Sequence, residues 1–102
     1  MIPVVISKAA ARDLNGIFDY IGTDDPLRAR SFSNELRERC KQIGEFPKTA
    51  RAMQLRGREI RLLPFRRYIV IYRIEAKRVA IERIWHGARN IAALLADHLK
   101  ED

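Results

Sequence analysis

The sequence predicts an α+β domain: a strand, two helices, a meander of strands and a last short helix. Three observations carry this. Up to Pro47 the apolar residues recur at spacings of three and four, the period of a helix with one buried face. Beyond Pro47 they alternate or run on in β-branched stretches, as strands do. The length, 102 residues, fits one domain spanning 1–102, and no repeat, linker or low-complexity segment divides it.

Pro3 to Ile6 is too short for a helix and rich in β-branched residues, which predicts a first strand. Ser7 is placed to cap a helix by accepting an early backbone N–H. In that helix Ala10, Leu14, Ile17, Phe18 and Ile21 form one stripe, and Gly22 follows as a left-handed stop. Asp25-Pro26 restarts a helix, with Asp25 as cap and Pro26 at the first helical position. Its stripe is Ala29, Phe32, Leu36, Cys40 and Ile43, and Pro47 forbids continuation. Two amphipathic helices on so short a link form an antiparallel hairpin.

The meander is read as three strands. Arg56-Gly57 is a turn, Ile60 and Leu62 alternate with charged neighbours, and Pro64 breaks the run and makes the next turn. Arg67 to Ile74 holds Tyr68, Val70, Tyr72 and Ile74 on one face and Ile69 and Ile71 on the other, which predicts a central strand covered on both sides. Glu75-Ala76-Lys77 turns the chain into Arg78–Trp85, where Val79, Ile81 and Trp85 oppose Ala80 and Ile84. Asn90 caps a final helix containing Ile91, Leu94, Leu95 and Leu99. The order is β-α-α-β-β-β-α, an α+β arrangement with an antiparallel meander.

Composition narrows the function. No apolar run approaches ~18 residues, which excludes a membrane-spanning helix. The start, MIPVVISK, has no basic region ahead of an apolar one, so no signal peptide is expected. Cys40 is the single cysteine; it suits a reducing cytoplasm, and its place on a helix stripe makes it a core thiol rather than a reactive one. The net charge of +7 is uneven. Residues 1–50 carry eight basic against seven acidic side chains, and residues 51–102 carry twelve against six. The second half therefore attracts polyanions or an acidic partner, unless the charge is only a solvated face.

Most tests for chemistry come back negative. His86 and His98 are the only histidines, so no metal site and no cofactor is expected. The sequence has no phosphate-binding glycine loop, no nucleophile elbow and no paired carboxylates. Nine arginines from Arg56 to Arg89 remain, with Tyr68, Tyr72 and Trp85 among them. Arginine forks match phosphate and carboxylate oxygens, and aromatics between them suit an RNA face. The alternative is plain cross-strand packing. In the same way His86 beside Arg89 is either a general acid with a phosphate clamp or a polar corner where strand meets helix.

AARDLNGIFDYI in the first helix, RRYIVIYRI in the central strand and VAIERIWHGARN at the end resemble the RelE/ParE superfamily of bacterial toxin–antitoxin modules. The resemblance runs from about residue 4 to residue 96 and is nearer to the ParE branch. It implies a toxin neutralised by a tightly bound cognate antitoxin, ParD-like or another small protein. A ParE-like toxin poisons DNA gyrase. A RelE-like one cleaves mRNA in the ribosome, and that alternative would rest on Arg61, His86 and Arg89; a superfamily member without toxicity is the third reading.

RelE's basic residues, carried over one by one, fall near Glu59, at Arg61, at Ile69 and at Arg89, and its C-terminal tyrosine near Leu95. Only Arg61 and Arg89 keep the type, which argues against RNA cleavage. No catalytic residue is then expected. Arg61, Arg67, Arg73, His86, Arg89, Leu94 and Leu95 are assigned to target or antitoxin binding, with no membrane involved.

Overall fold

The computed structural model describes residues 1–87. Arg89, Asn90, Leu94, Leu95 and the expected final helix lie outside them. The elements are β1 (Val4–Ile6), α1 (Lys8–Asp24), α2 (Pro26–Glu45), β2 (Arg51–Leu55), β3 (Arg58–Phe65), β4 (Tyr68–Ile74) and β5 (Val79–His86). The sheet order is β1-β5-β4-β3-β2. β1 lies parallel to β5, with Val4 opposite Val79, and all other pairs are antiparallel.

The helical half follows the sequence closely. Ser7 caps α1 by accepting the Ala10 N–H at 3.0 Å, and its own hydroxyl donates to the Glu82 carbonyl at 2.9 Å, tying the cap to β5. Asp25 alone links the two helices. Its backbone N–H closes α1 on the Ile21 carbonyl, and its carboxylate accepts the Arg28 N–H. Gly22 is not the stop: α1 runs through it to Asp24. The break comes from Pro26, which disfavours helical backbone at the residue before it.

Both predicted stripes meet the sheet. Ala10, Ile17, Phe32, Leu36 and Ile43 are buried in one cluster with Val70, Tyr72, Val79, Ile81 and Ile84, and Leu14, Phe18, Ile21 and Cys40 pack at its border. The Phe32 ring meets Phe18, Phe65 and Tyr68 edge to face. Burying a ring of this size is worth roughly 1.5–3 kcal/mol. α2 and the N-terminal segment approach closely at Gly44. Its carbonyl accepts the Ile2 N–H, and a Cβ there would lie 2.7 Å from the Ile2 carbonyl oxygen.

The meander departs from expectation in three places. It has four strands, because β2 precedes the Arg56-Gly57 turn and pairs with β3 from Leu55–Arg58 back to Arg51–Leu62. Pro64 does not turn the chain. It lies within β3 opposite Ile69, and the turn falls at Arg66-Arg67. The ring is tolerated because β2 pairs no further than Leu62, so β3 is an edge there and owes no donor on that side.

The third departure is in β5. The register skips from Ile71–Arg83 to Tyr72–Ile81, leaving Glu82 as an extra residue. Such a bulge reverses the facing of the residues beyond it. Ile84, not Trp85, therefore joins Val79 and Ile81 in the main core. Trp85 turns to the far face, where it packs with Ile60 and Ile71 and with half-buried Met53, Leu55, Leu62 and Ile69. β4 is central and apolar on both faces, as its pattern predicts.

Two non-glycine residues among those described have left-handed backbone, and both are arginines: Arg56 (φ 54°) and Arg66 (φ 56°). A side chain in this region costs on the order of 1 kcal/mol. Arg66 uses its position to reach Glu35 on α2, at 3.0 Å. Arg56, followed by Gly57 at φ 78°, makes the tight hairpin turn that asparagine and glycine ordinarily fill.

Candidate functional site

Of the four arginines marked for partner binding, the three among the described residues do not share a surface. Arg61 lies opposite Tyr72, on the helix side of the sheet. Its Nη1 donates to the carbonyls of Lys48 and Ala50 at 3.0 and 2.9 Å, and its Nη2 meets Glu59 at 3.1 Å. The side chain is 13% exposed and fastens the loop between α2 and β2. The Tyr72 hydroxyl donates to the Pro47 carbonyl in the same loop, at 2.6 Å, and burial pushes its pKa up.

Arg73 projects to the opposite face, with Nε 2.6 Å from Glu82 and Nη2 3.6 Å from Glu75. Arg67 is exposed in the β3–β4 turn, where its carbonyl accepts the Gly87 N–H at 2.8 Å.

His86 closes β5 opposite Tyr68, and the two rings meet edge to face at 5.7 Å. It borders an open groove of about 370 Å³ with Arg12, Gly16, Tyr20 and Trp85. The polar centre of this corner is one the sequence did not reveal. The Asp13 carboxylate accepts Arg83 Nε and Nη2, both at 2.8 Å, and the Ile84 N–H at 3.0 Å. Arg83 also lies over the Trp85 ring, 4.7 Å from its centroid. The bond to Asp13 raises the Arg83 pKa, although burial pulls the other way. Asp13 and Arg83 are 70 residues apart, and nothing local marks either as half of a pair. The corner is well fastened; it ties α1 to β5 where β1 has ended.

A second feature is apolar. A groove of about 390 Å³ opens between the helical hairpin and β1. Ile2, Val4, Leu14, Phe18, Leu36 and Cys40 are among its lining residues, and Arg37 and Lys41 border it. Beside it Val5 and Ile6 are exposed on β1, an edge strand. Burial pushes the Cys40 thiol up to about 11, so it stays protonated at neutral pH and is inert as a nucleophile. The helix stripes hinted at this groove, since they carry more apolar positions than the sheet covers.

The comparisons agree with this architecture. The chain matches the model of the ParE toxin of the type II toxin–antitoxin system, parDE, over residues 4–91. It is 34% identical to Toxin RelE2 of Caulobacter vibrioides over 89 residues, covering 87% of this chain and 99% of that protein. It is 31% identical to Toxin RelE1 of the same organism, covering 82% and 91%. Its fold is similar to a chain of the chromosomal ParDE system from P. aeruginosa, with a TM-score of 0.73, 22% identity, and 84% and 96% of the two chains covered. A strand, a capped helical hairpin and a meander, matched from end to end of these relatives, place the chain in the ParE toxin family of type II toxin–antitoxin systems, within the RelE/ParE superfamily.

Proposed function

We propose that this toxin acts by binding, that DNA gyrase is its target, and that an antitoxin silences it by filling the groove beside β1. The observation that carries the first part is the engagement of the arginines. RNA cleavage needs groups held ready for the phosphate and for proton transfer. Arg61 is spent on two carbonyls and Glu59, Arg73 on Glu82 and Glu75, and Arg83 on Asp13. His86 packs on Tyr68 at a strand end. A gyrase poison requires no acid and no base, only a surface that prefers one state of the enzyme.

The test is direct. Purified toxin with gyrase and supercoiled plasmid should accumulate cleaved DNA while ribosome-bound mRNA stays whole, and His86→Ala should keep growth arrest intact. A-site mRNA cuts that vanish in His86→Ala overturn the reading in favour of the nuclease.

For the antitoxin, the groove accepts the apolar stripe of an amphipathic helix, with acidic residues turned to Arg37 and Lys41. Arg37→Glu with Lys41→Glu should slow association at low salt without lowering the melting temperature. An unchanged association rate would remove this surface from consideration.

A further inference from the structure

The β2–β3 hairpin is a basic ribbon. Between Lys48 and Arg61 the chain has five cations and a single acid, Glu59. Arg61 is the one turned inward; Lys48, Arg51, Arg56 and Arg58 are all exposed. β3 pairs with β4 only from Arg61 onward, whereas its pairing with β2 starts at Arg58. The end of the hairpin is therefore a two-stranded ribbon standing beyond the main ladder. β2 is the outer strand of the sheet, so one edge of the ribbon is open as well.

The turn adds a second, independent observation. Arg56 holds a left-handed position that glycine or asparagine fills without strain. The other left-handed arginine, Arg66, uses its position for the ion pair with Glu35. Arg56 is exposed and has no ion pair or hydrogen bond among the described residues. A cation kept at an unfavourable backbone position, at the tip of a projecting ribbon, points outward to a partner.

We infer that this ribbon binds the phosphate backbone of duplex DNA. Lys48 and Arg51 stand at one end of β2 and Arg56 and Arg58 at the other, roughly 17 Å apart for a strand of this length. A two-stranded ribbon fits a major groove about 12 Å wide, and side chains at its two ends reach phosphates on both walls. Duplex is favoured over single-stranded nucleic acid because no aromatic residue lies between Lys48 and Arg61 on which an unpaired base would stack. The inference does not rest on gyrase, since it concerns direct contact between this chain and DNA.

The test uses the purified full-length toxin and a fluorescent 30-base-pair duplex, read by anisotropy at several salt concentrations. The wild type should bind, with a slope of log affinity against log salt of about −0.9 for each phosphate contact. Replacing Arg51 and Arg58 by Gln and Arg56 by Asn should weaken binding about tenfold at low salt and flatten that slope by about 0.9 per lost contact.

Arg56→Asn alone separates binding from folding. It should weaken DNA binding while leaving the melting temperature at or above the wild-type value. Arg30→Gln, an exposed change on α2, is the control and should leave affinity unchanged. Three results overturn the inference: no binding at low salt, equal loss in Arg30→Gln, or tighter binding to single-stranded RNA of the same length. Each is read without gyrase, so none of them depends on gyrase being the target.

Discussion

The middle of the sheet and its outer β2 side use arginine in opposite ways. Around β4 and β5, Arg73 and Arg83 are held in ion pairs, Arg83 by two bonds to one carboxylate. On the outer strand β2 and the turn that follows it, Arg51 and Arg56 face solvent. In the sequence these residues look alike, short basic punctuation in an apolar alternation. The structure separates them by what lies across the sheet. Where a helix or a bulge brings a carboxylate within reach, the guanidinium becomes a fastener; where the strand is an edge, it stays a charge. Basic composition therefore overstates how much positive surface is free, and it says nothing of where that surface lies.

The largest effect that would break this contrast is at Asp13. Asp13→Ala removes the carboxylate that takes two bonds from the partly buried Arg83 and one from the Ile84 N–H. We expect a loss of about 2–4 kcal/mol in denaturant unfolding. A loss no larger than that of an exposed aspartate would show that the corner is held by the Trp85 stack alone.

Next is Arg61→Met, which keeps the stem and removes the bonds to Lys48 and Ala50. It should cost about 1–3 kcal/mol and, by loosening the loop, speed hydrogen exchange at the Thr49 N–H, which the Phe46 carbonyl holds. If toxicity fell while stability and exchange did not, Arg61 would belong with the outward-facing cations after all.

The smallest effect is at Glu75. The hydrogen bond from Arg78 holds its carboxyl below the usual value of 4.5, against a small cost of burial. A carboxylate favoured in the folded state stabilises above its unfolded pKa, and this stabilisation fades as pH falls through the folded pKa. Glu75→Gln should therefore lower the melting temperature slightly at pH 7, and the gap to the wild type should close as the pH falls through the lowered folded-state pKa of Glu75. A gap independent of pH would mean the side chain acts by packing.

The sequence made the helical half legible because its signals are local. A cap accepts an N–H three residues on, a stripe repeats every turn, and Asp25-Pro26 both ends and begins a helix. The sheet half was legible only where apolar runs are dense, as in β4. β2 was missed because RAMQL has no β-branched or aromatic residue and, as an outer strand, buries little. The bulge at Glu82 was invisible because it exists only in the register against β4, and it reassigned both Ile84 and Trp85.

The site was less legible still. His86 was placed correctly at the strand end, whereas Arg61, Arg67 and Arg73 were grouped by type and turned out to lie on different sides. Asp13 carried no signal at all. Its role depends on a partner that arrives 70 residues later.

The parallel pairing of β1 with β5 also sets the order of events during synthesis. Val4 meets Val79, so the first strand has no neighbour until some 75 residues more have been added. At about 5–20 residues per second, β1 and the apolar side chains beside it wait for several seconds with the helical hairpin already made. Contacts this distant in sequence form late and slowly. The wall of the groove that includes β1 is therefore assembled last. A partner that recognises the finished groove can capture the chain only once β5 has arrived.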